Sequence, residues 1–472
     1  MFNVSYLIPF KIFRILFSVL AQLPQPKSIV TFTFVEQLIK FGPNLKSKTM
    51  NKIIYAVSFV FLLASSFKPG DKMHKHTSKG NVIDNAAKRR IDAALQSFVD
   101  SAEVVGVSAL VFENNKPVYY NAFGYADRET KKPMDQNTIV RLYSMTKPVT
   151  GVALMTLYDK GAFKLDDPLS KYIPEFADMK VFKGVDPSGA IVLEAAKRPI
   201  TIRDLTRHTS GIVSNTELPG LKELVKKVDA MNPNNTLAEM AKKLASLPLL
   251  FQPGEQWSYG PSVDVQAYLV ERISGKPFDQ FLRETIFDPL GMANTRYVVT
   301  APDRNRLAGM YTKSADGQLT RVADDDNTFN IKNYPLKPGG YGLTSTLDDY
   351  MKFAQMLVNK GSIGKAHILQ PETIQLMSTN QLSDTITRRM WLASKGQVGF
   401  GIDFAVRLRA PASKEENNGM VGEFFWDGAA STLFWVDPVN NLTTVLFVQV
   451  MPFYGKLHKS FRDAVYGSYE PK

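Results

Sequence analysis

A serine and a lysine three residues apart, Ser144 and Lys147, stand at the start of an apolar segment with helical periodicity. Because residues three apart share a helix face, the hydroxyl and the amine can meet. A serine hydroxyl becomes a good nucleophile when a base takes its proton, and a lysine amine can be that base where burial favours its neutral form. The start of a helix also places a positive dipole end near a developing oxyanion. The spacing therefore predicts nucleophilic chemistry at Ser144.

The Ser-x-x-Lys pattern is weak by itself, because it also occurs at Ser65 to Lys68 and at Ser362 to Lys365. The surroundings distinguish the three copies. Only Ser144 lies between a strand-like stretch and a long apolar helix. This position favours Ser144 over the other two serines.

A second candidate group is Tyr259, which lies in a Pro/Gly-rich loop directly before a helical segment. A tyrosine in such a loop can point into a cleft, where its hydroxyl can relay a proton between a serine and a leaving group. The alternative is a loop aromatic that packs on the surface, and the sequence leaves both interpretations open.

A third candidate segment, residues 425–432, places Trp426, Gly428 and Ala429 beside a strand. Small residues next to a strand allow a ligand to approach the backbone closely, and a backbone N–H there can polarise a carbonyl. The alternative is a tight strand entry that accepts only small side chains.

The elements around these segments indicate an α/β (α+β) fold with an antiparallel sheet. A helical pattern over 86–99 precedes strand-like segments 104–112 and 117–123, and strand-like segments 430–436 and 443–450 precede a helical pattern over 460–466. The middle of the chain is richer in helical patterns. We therefore expect a sheet flanked by helices and interrupted by a mainly helical insertion at roughly 166–347.

The three segments, in this order, resemble the motifs of the serine β-lactamase-related hydrolases. This family includes class C β-lactamases, D-alanyl-D-alanine carboxypeptidases and β-lactamase-like esterases. Its motif order is Ser-x-x-Lys, then Tyr-x-Asn or Tyr-Ser-x, then Lys-Thr-Gly or a variant. Residues 205–212 and 339–353 also match, and the resemblance spans roughly residues 83–466.

The resemblance implies the fold of β-lactamases and penicillin-binding transpeptidases, and it implies a role for each candidate residue. Ser144 would be the acylated nucleophile, Lys147 its general base and Tyr259 an aid to proton transfer. The backbone N–H groups of Ser144 and Ala429 would form an oxyanion hole, with Trp426 and Gly428 in the substrate-binding site. A further marker of the family, His208, is interpreted as structural.

Two departures from the family pattern bear on the substrate. Pro261 stands where β-lactamases place an asparagine, and Trp426 stands where they place a lysine, in a Trp-x-Gly sequence that resembles the esterase branch. We therefore expect a serine hydrolase that forms an acyl-enzyme on small-molecule esters or related acyl compounds. The alternatives are a β-lactamase or D-alanyl-D-alanine carboxypeptidase, and a non-catalytic binding protein of the same fold.

Composition excludes several other classes. The 472 residues carry a net charge of +12, but residues 1–70 hold +7 of it, which argues against a nucleic-acid-binding face in the rest of the chain. Cysteine is absent, and no His/Asp/Glu cluster has the spacing of metal ligands. We expect neither a metal nor another cofactor.

The pattern of residues 1–81 predicts that the protein is exported. Residues 50–66 have the basic start, apolar run and small-residue end of a signal peptide, and the apolar run is short for a membrane span. We interpret 1–49 as an upstream over-extension of the reading frame, 67–81 as a linker and 82–472 as the hydrolase domain. The mature protein is then periplasmic or secreted, without a stable membrane span. The alternative is a genuine extension with two membrane-associating stretches.

Overall fold

The structure is a computed structural model that describes residues 81–386 and 397–470. The predicted upstream extension, the signal peptide and nearly all of the linker lie outside these residues, so they stay predictions. Within the described ranges, no helix combines the length and the apolar character needed to cross a bilayer.

The strands, in chain order, are β1 (Gly106–Glu113), β2 (Lys116–Asp127), β3 (Lys132–Pro133), β4 (Val140–Arg141), β5 (Lys180–Val185), β6 (Ile191–Ala195), β7 (Tyr311–Lys313), β8 (Leu319–Arg321), β9 (Thr344–Ser345), β10 (Ser362–Ile363), β11 (Ala366–His367), β12 (Val398–Phe400), β13 (Ala405–Arg407), β14 (Phe424–Asp427), β15 (Leu433–Asp437), β16 (Leu442–Val448) and β17 (Val450–Met451). The α-helices are α1 (Asn85–Asp100), α2 (Thr146–Asp159), α3 (Ile202–Thr206), α4 (Leu221–Val228), α5 (Leu237–Ala245), α6 (Ser262–Ser274), α7 (Phe278–Leu282), α8 (Asp288–Leu290), α9 (Leu347–Val358), α10 (Pro371–Met377) and α11 (Gly455–Tyr466).

The main sheet is antiparallel, as predicted, and its strand order is β12-β13-β14-β15-β16-β1-β2-β3. Helices cover both faces. Phe434 packs against Tyr350 of α9, whereas its neighbour Trp435 packs against Phe461 of α11. Since successive side chains of a strand point to opposite faces, α9 and α11 lie on opposite sides of the sheet. Strand β16 is consequently buried along its whole length.

The predicted N-terminal helix, hairpin and C-terminal helix are confirmed, with small shifts at their ends. Helix α1 begins after Asp84, whose side chain accepts a hydrogen bond from the Ala87 N–H, and it buries Ile91, Leu95 and Phe98 at helical spacing. Strands β1 and β2 form the predicted hairpin. Helix α11 is longer than its predicted range and starts at residue 455.

Between β3 and β12 the chain leaves the main sheet and forms most of the helices. The boundaries of the predicted insertion, roughly 166–347, remain an interpretation. This range also contains the hairpins β5–β6 and β7–β8, which the sequence patterns did not indicate.

Helix α2 is buried along most of its length. Every residue from Thr146 to Leu157 is buried, and α6 packs against this helix. Burial of every residue over about three turns means that the rest of the chain covers this helix on all sides. The main chain that carries Ser144 and Lys147 is therefore held in a packed interior.

Candidate active site

Ser144 lies on a strained turn between β4 and α2. The preceding residue, Tyr143, has a left-handed φ of 47°, which is unfavourable for a residue with a side chain. The turn is held from two sides. The Leu142 N–H donates to Leu343 O at 2.9 Å, and the Tyr350 hydroxyl donates to Met145 O at 2.8 Å. These contacts fix Ser144 at the N-terminal end of α2.

The three residues predicted to be catalytic come together at one point. Ser144 Oγ lies 3.2 Å from Lys147 Nζ and 2.8 Å from the Tyr259 hydroxyl. Lys147 Nζ also lies 4.4 Å from the centroid of the Tyr259 ring. Lys147 is only 5% exposed, whereas Ser144 and Tyr259 are half-buried. A nucleophile that contacts two proton-transferring groups has the geometry required for covalent catalysis.

The amine of Lys147 is surrounded by groups that sequence reasoning missed. Its Nζ donates to Gly340 O at 2.7 Å. Two buried carboxyl groups, those of Asp264 and Asp403, interact with it electrostatically. Burial raises the pKa of Asp264 to about 6 and raises the pKa of Asp403 well above its ordinary value, while the charge of Lys147 opposes both shifts. The only sequence signal for this region was the glycine pair that begins the match at 339–353.

The Tyr259 ring is packed among other aromatic rings. Its centroid lies 4.9 Å from that of His208, 5.8 Å from that of Trp426 and 6.2 Å from that of Trp257. His208 is fully buried, and neither of its ring nitrogens has a hydrogen-bond partner within the described ranges. Burial, aided by the charge of Lys147, holds the pKa of His208 well below its ordinary value. The imidazole is therefore neutral, which fits its interpretation as a structural residue.

Trp426 occupies a different position from the one expected for a substrate contact. Its side chain is 0% exposed and packs between Tyr259 and Phe400, whose ring centroids lie 5.8 and 5.3 Å away. A ring that is covered by protein on this scale supports Tyr259 from behind and offers no face to a ligand. The expectation that Trp426 binds the substrate directly does not fit this burial.

Gly428 brings the turn after β14 against the Ser144 turn. A Cβ atom at this position would lie 2.3 Å from Leu142 O, so a glycine is required for the close approach. The Gly428 N–H donates to Thr432 O at 2.9 Å. Because this turn precedes it, β15 starts later than predicted. The N–H of Gly428 is therefore occupied, and the residue acts through its small size.

Ala429, the predicted oxyanion donor, follows Gly428 in the same turn. It is half-buried, and within residues 81–386 and 397–470 its N–H has no hydrogen-bond acceptor. An N–H in this state can donate to a developing oxyanion. Its role stays a prediction.

The competing Ser-x-x-Lys patterns have different surroundings. Ser362 lies at the β10–β11 hairpin, where its Oγ is 2.8 Å from His367 Nδ1. Ser65 lies outside the described residues. Of the two serines that the structure describes, only Ser144 contacts the lysine of its pattern.

Two curated proteins are similar to this chain over most of its length. Protein Rv1367c of Mycobacterium tuberculosis is 32% identical over 367 residues, which cover 76% of this chain and 89% of that protein. The lovastatin esterase of Penicillium rubens is 27% identical over 406 residues, which cover 80% of this chain and 98% of that protein.

A solved structure and a family model agree with these similarities. The structure of EstCE1, described as a hydrolase with promiscuous acyltransferase activity, matches with a TM-score of 0.66 and 27% identity over 81% of this chain and 99% of that chain. The Beta-lactamase family model matches residues 91–465. With this match, and with the antiparallel sheet and helices of the β-lactamase and penicillin-binding-protein fold, the chain belongs to the Beta-lactamase family.

Proposed function

We propose that this protein is a serine hydrolase that cleaves esters or related acyl compounds through an acyl-enzyme on Ser144. The observation that carries the proposal is the placement of Ser144 Oγ within 3.2 Å of Lys147 Nζ and 2.8 Å of the Tyr259 hydroxyl. Relatives that are named esterases support the class of reaction.

In the acylation step, Ser144 Oγ attacks the acyl carbonyl carbon while Lys147 Nζ takes the hydroxyl proton. The carbonyl π electrons move to the oxygen, which accepts hydrogen bonds from the N–H groups of Ser144 and Ala429. Collapse of this intermediate breaks the bond to the alkoxy group. The Tyr259 hydroxyl passes a proton to the departing oxygen and recovers one from Lys147, so an alcohol leaves.

Deacylation reverses the roles of the groups. The Tyr259 hydroxyl takes a proton from the water as the water oxygen attacks the acyl carbon, and it passes its own proton to Lys147 Nζ. The bond to Ser144 Oγ then breaks, Oγ recovers a proton, and a carboxylic acid leaves. An alcohol in place of water gives acyl transfer to a second ester. We keep acyl transfer as a second candidate activity, because EstCE1 combines hydrolysis with it.

The substrate preference follows from the charge that a ligand carries. A β-lactam or a peptide terminus brings a carboxylate, and desolvation of this group is costly without a cation to receive it. Neither Trp426 nor Pro261 supplies a cation or an amide donor at the two family positions. We propose that neutral short-chain esters have a kcat/KM at least about tenfold above that of anionic β-lactams.

Covalent labelling tests the nucleophile. A fluorophosphonate should add one equivalent to the wild-type protein and to Ser362→Ala, and none to Ser144→Ala, as measured by intact mass. An adduct on Ser144→Ala would overturn the assignment. A wild-type protein that is folded yet takes no label and turns over no ester would support the non-catalytic binding protein.

Turnover of two chromogenic substrates tests the preference. We expect p-nitrophenyl butyrate to be cleaved more efficiently than nitrocefin. The opposite order would favour a β-lactamase or D-alanyl-D-alanine carboxypeptidase, with the carboxylate held by a cation elsewhere in the cleft.

We also propose that residues 50–66 direct export as a signal peptide and are then removed. N-terminal sequencing of the mature protein should give a start at residues 67–71. A retained Met1 would show that the first 49 residues are a genuine extension.

A further inference from the structure

A short loop containing Gly339 and Gly340 forms hydrogen bonds both to the helix that carries Lys147 and to the helix that follows Tyr259. On the α2 side, Gly339 O accepts from Thr150 Oγ1 at 2.7 Å and Gly340 O accepts from Lys147 Nζ at 2.7 Å. On the α6 side, the Gly340 N–H donates to Asp264 Oδ1 at 2.8 Å. The carbonyl that holds the lysine amine and the N–H that binds the carboxylate therefore belong to one residue.

The loop packs closely against α6. A Cβ atom on Gly340 would lie 2.8 Å from Asp264 Oδ2, and one on Gly339 would lie 2.3 Å from Val263 O. The Tyr297 hydroxyl holds the start of the loop by donating to Pro338 O at 2.7 Å. With these contacts, a displacement of the Asp264 side chain displaces the Gly340 carbonyl as well.

Burial of the Asp264 carboxylate at this position is unfavourable for folding. It is 4% exposed, and a buried carboxylate is unfavourable unless it is paired. The ionisable groups that interact with it are Lys147, on α2, and the hydroxyls of Tyr297 and Tyr341, whose pKa values are raised chiefly by burial and also by its charge. Lys147 is the cation among them. The carboxylate thus interacts electrostatically with the amine that takes the Ser144 proton.

We propose that Asp264 is a positioning residue for Lys147, which it acts on through the Gly340 backbone and through its negative charge. This inference rests on the proposed function. During acylation the O–H bond of Ser144 breaks and an N–H bond of Lys147 forms, so the amine changes from neutral to +1. The Gly340 carbonyl holds the amine at Ser144 before the transfer, and the Asp264 carboxylate stabilises the ammonium after it.

Asp264→Asn separates the electrostatic effect from the structural one. The carboxamide oxygen can still accept from the Gly340 N–H, so the loop stays in place while the charge is lost. We expect kcat for p-nitrophenyl butyrate to fall about tenfold or more, a loss typical of an interaction with a charged group, while KM changes less than about twofold. The melting temperature at pH 8 should be unchanged or higher, because an unfavourable buried charge has been removed.

Asp349→Asn is a matched control from outside the site. Asp349 is also buried and accepts a backbone N–H, that of Asn294, at 2.6 Å. Its amide variant should keep the wild-type kcat per folded molecule. Asp264→Ala, which loses the charge and the hydrogen bond, should lose more activity than Asp264→Asn.

The outcomes distinguish this inference from the proposed function. If Asp264→Asn keeps at least half of the wild-type kcat, or loses activity only in proportion to its unfolded fraction, the inference is wrong. If Ser144→Ala still takes the fluorophosphonate label, the proposed function itself is wrong. Loss of label in Ser144→Ala together with full activity in Asp264→Asn would leave the function standing and remove the role of Asp264.

Discussion

The two sides of Ser144 are held in place by different forces. On the lysine side, hydrogen bonds and buried charges connect Lys147, Gly340 and Asp264. On the tyrosine side, the Tyr259 ring is packed among His208, Trp257 and Trp426. Directional polar contacts fail when one member is lost, whereas ring packing is spread over many weak contacts. We therefore expect sharp losses of activity on the lysine side and graded losses on the tyrosine side.

Lys147→Arg should have the largest effect, because it removes the base from the lysine side. A guanidinium keeps the positive charge but does not give up its proton at accessible pH. We expect kcat/KM for p-nitrophenyl butyrate to fall by about 10² or more, with Arg hardly better than Ala. Near-full activity in Lys147→Arg would make the lysine an electrostatic element and move the role of base to Tyr259.

Asp264→Asn should change how stability depends on pH. Burial raises the pKa of Asp264 from 3.8 to about 6, so the folded protein binds this proton more tightly than the unfolded chain does. The stability linked to this group is present below about pH 4 and is lost as the pH rises through about 6, a loss on the order of 3 kcal/mol.

Urea unfolding at two pH values measures this effect. Relative to wild type, Asp264→Asn should gain free energy of unfolding at pH 8 and show little difference near pH 4. An equal loss of stability at both pH values would mean that the carboxylate is not penalised in the folded state.

Trp426→Phe should lower the stability of the packing around Tyr259 and should lower activity only moderately. The smaller ring leaves a cavity behind Tyr259, and we expect the free energy of unfolding to fall by about 2 kcal/mol. Because His208 and Trp257 still contact Tyr259, kcat should fall less than about tenfold. A loss as large as that of Lys147→Arg would show that the tyrosine side is as sensitive as the lysine side.

His208→Phe should have the smallest effect on the free energy of unfolding. The pH dependence of that free energy should change in the opposite direction from the change in Asp264→Asn. Burial holds the pKa of His208 well below 6.5, so the unfolded chain binds this proton more tightly than the folded protein does. The stability linked to the group is present above about pH 6.5 and falls by about 1.4 kcal/mol per pH unit below it. Phenylalanine keeps the ring packing and removes this slope, which urea unfolding at pH 5.5 and 8 would detect.

Much of the framework was predictable because it depends on local patterns. The helical spacing of Ile91, Leu95 and Phe98 defines α1, and β-rich segments on either side of turn residues define the β1–β2 and β15–β16 hairpins. The hairpins β5–β6 and β7–β8 were missed: β7 and β8 have only three residues each, and β5 and β6 are largely exposed and contain no long run of apolar residues.

The candidate reacting groups were identifiable from the sequence, because the spacing of Ser144 and Lys147 predicts their contact and the order of the motifs carries the family resemblance that adds Tyr259. It also indicated the family, which the family model confirms. The tertiary structure decided what surrounds these groups. Asp264 and Gly340 are 76 residues apart in the chain, and their contact forms only in the folded chain. Burial of Trp426 is likewise a property of the folded packing, since a residue type states how apolar a side chain is but not which neighbours cover it.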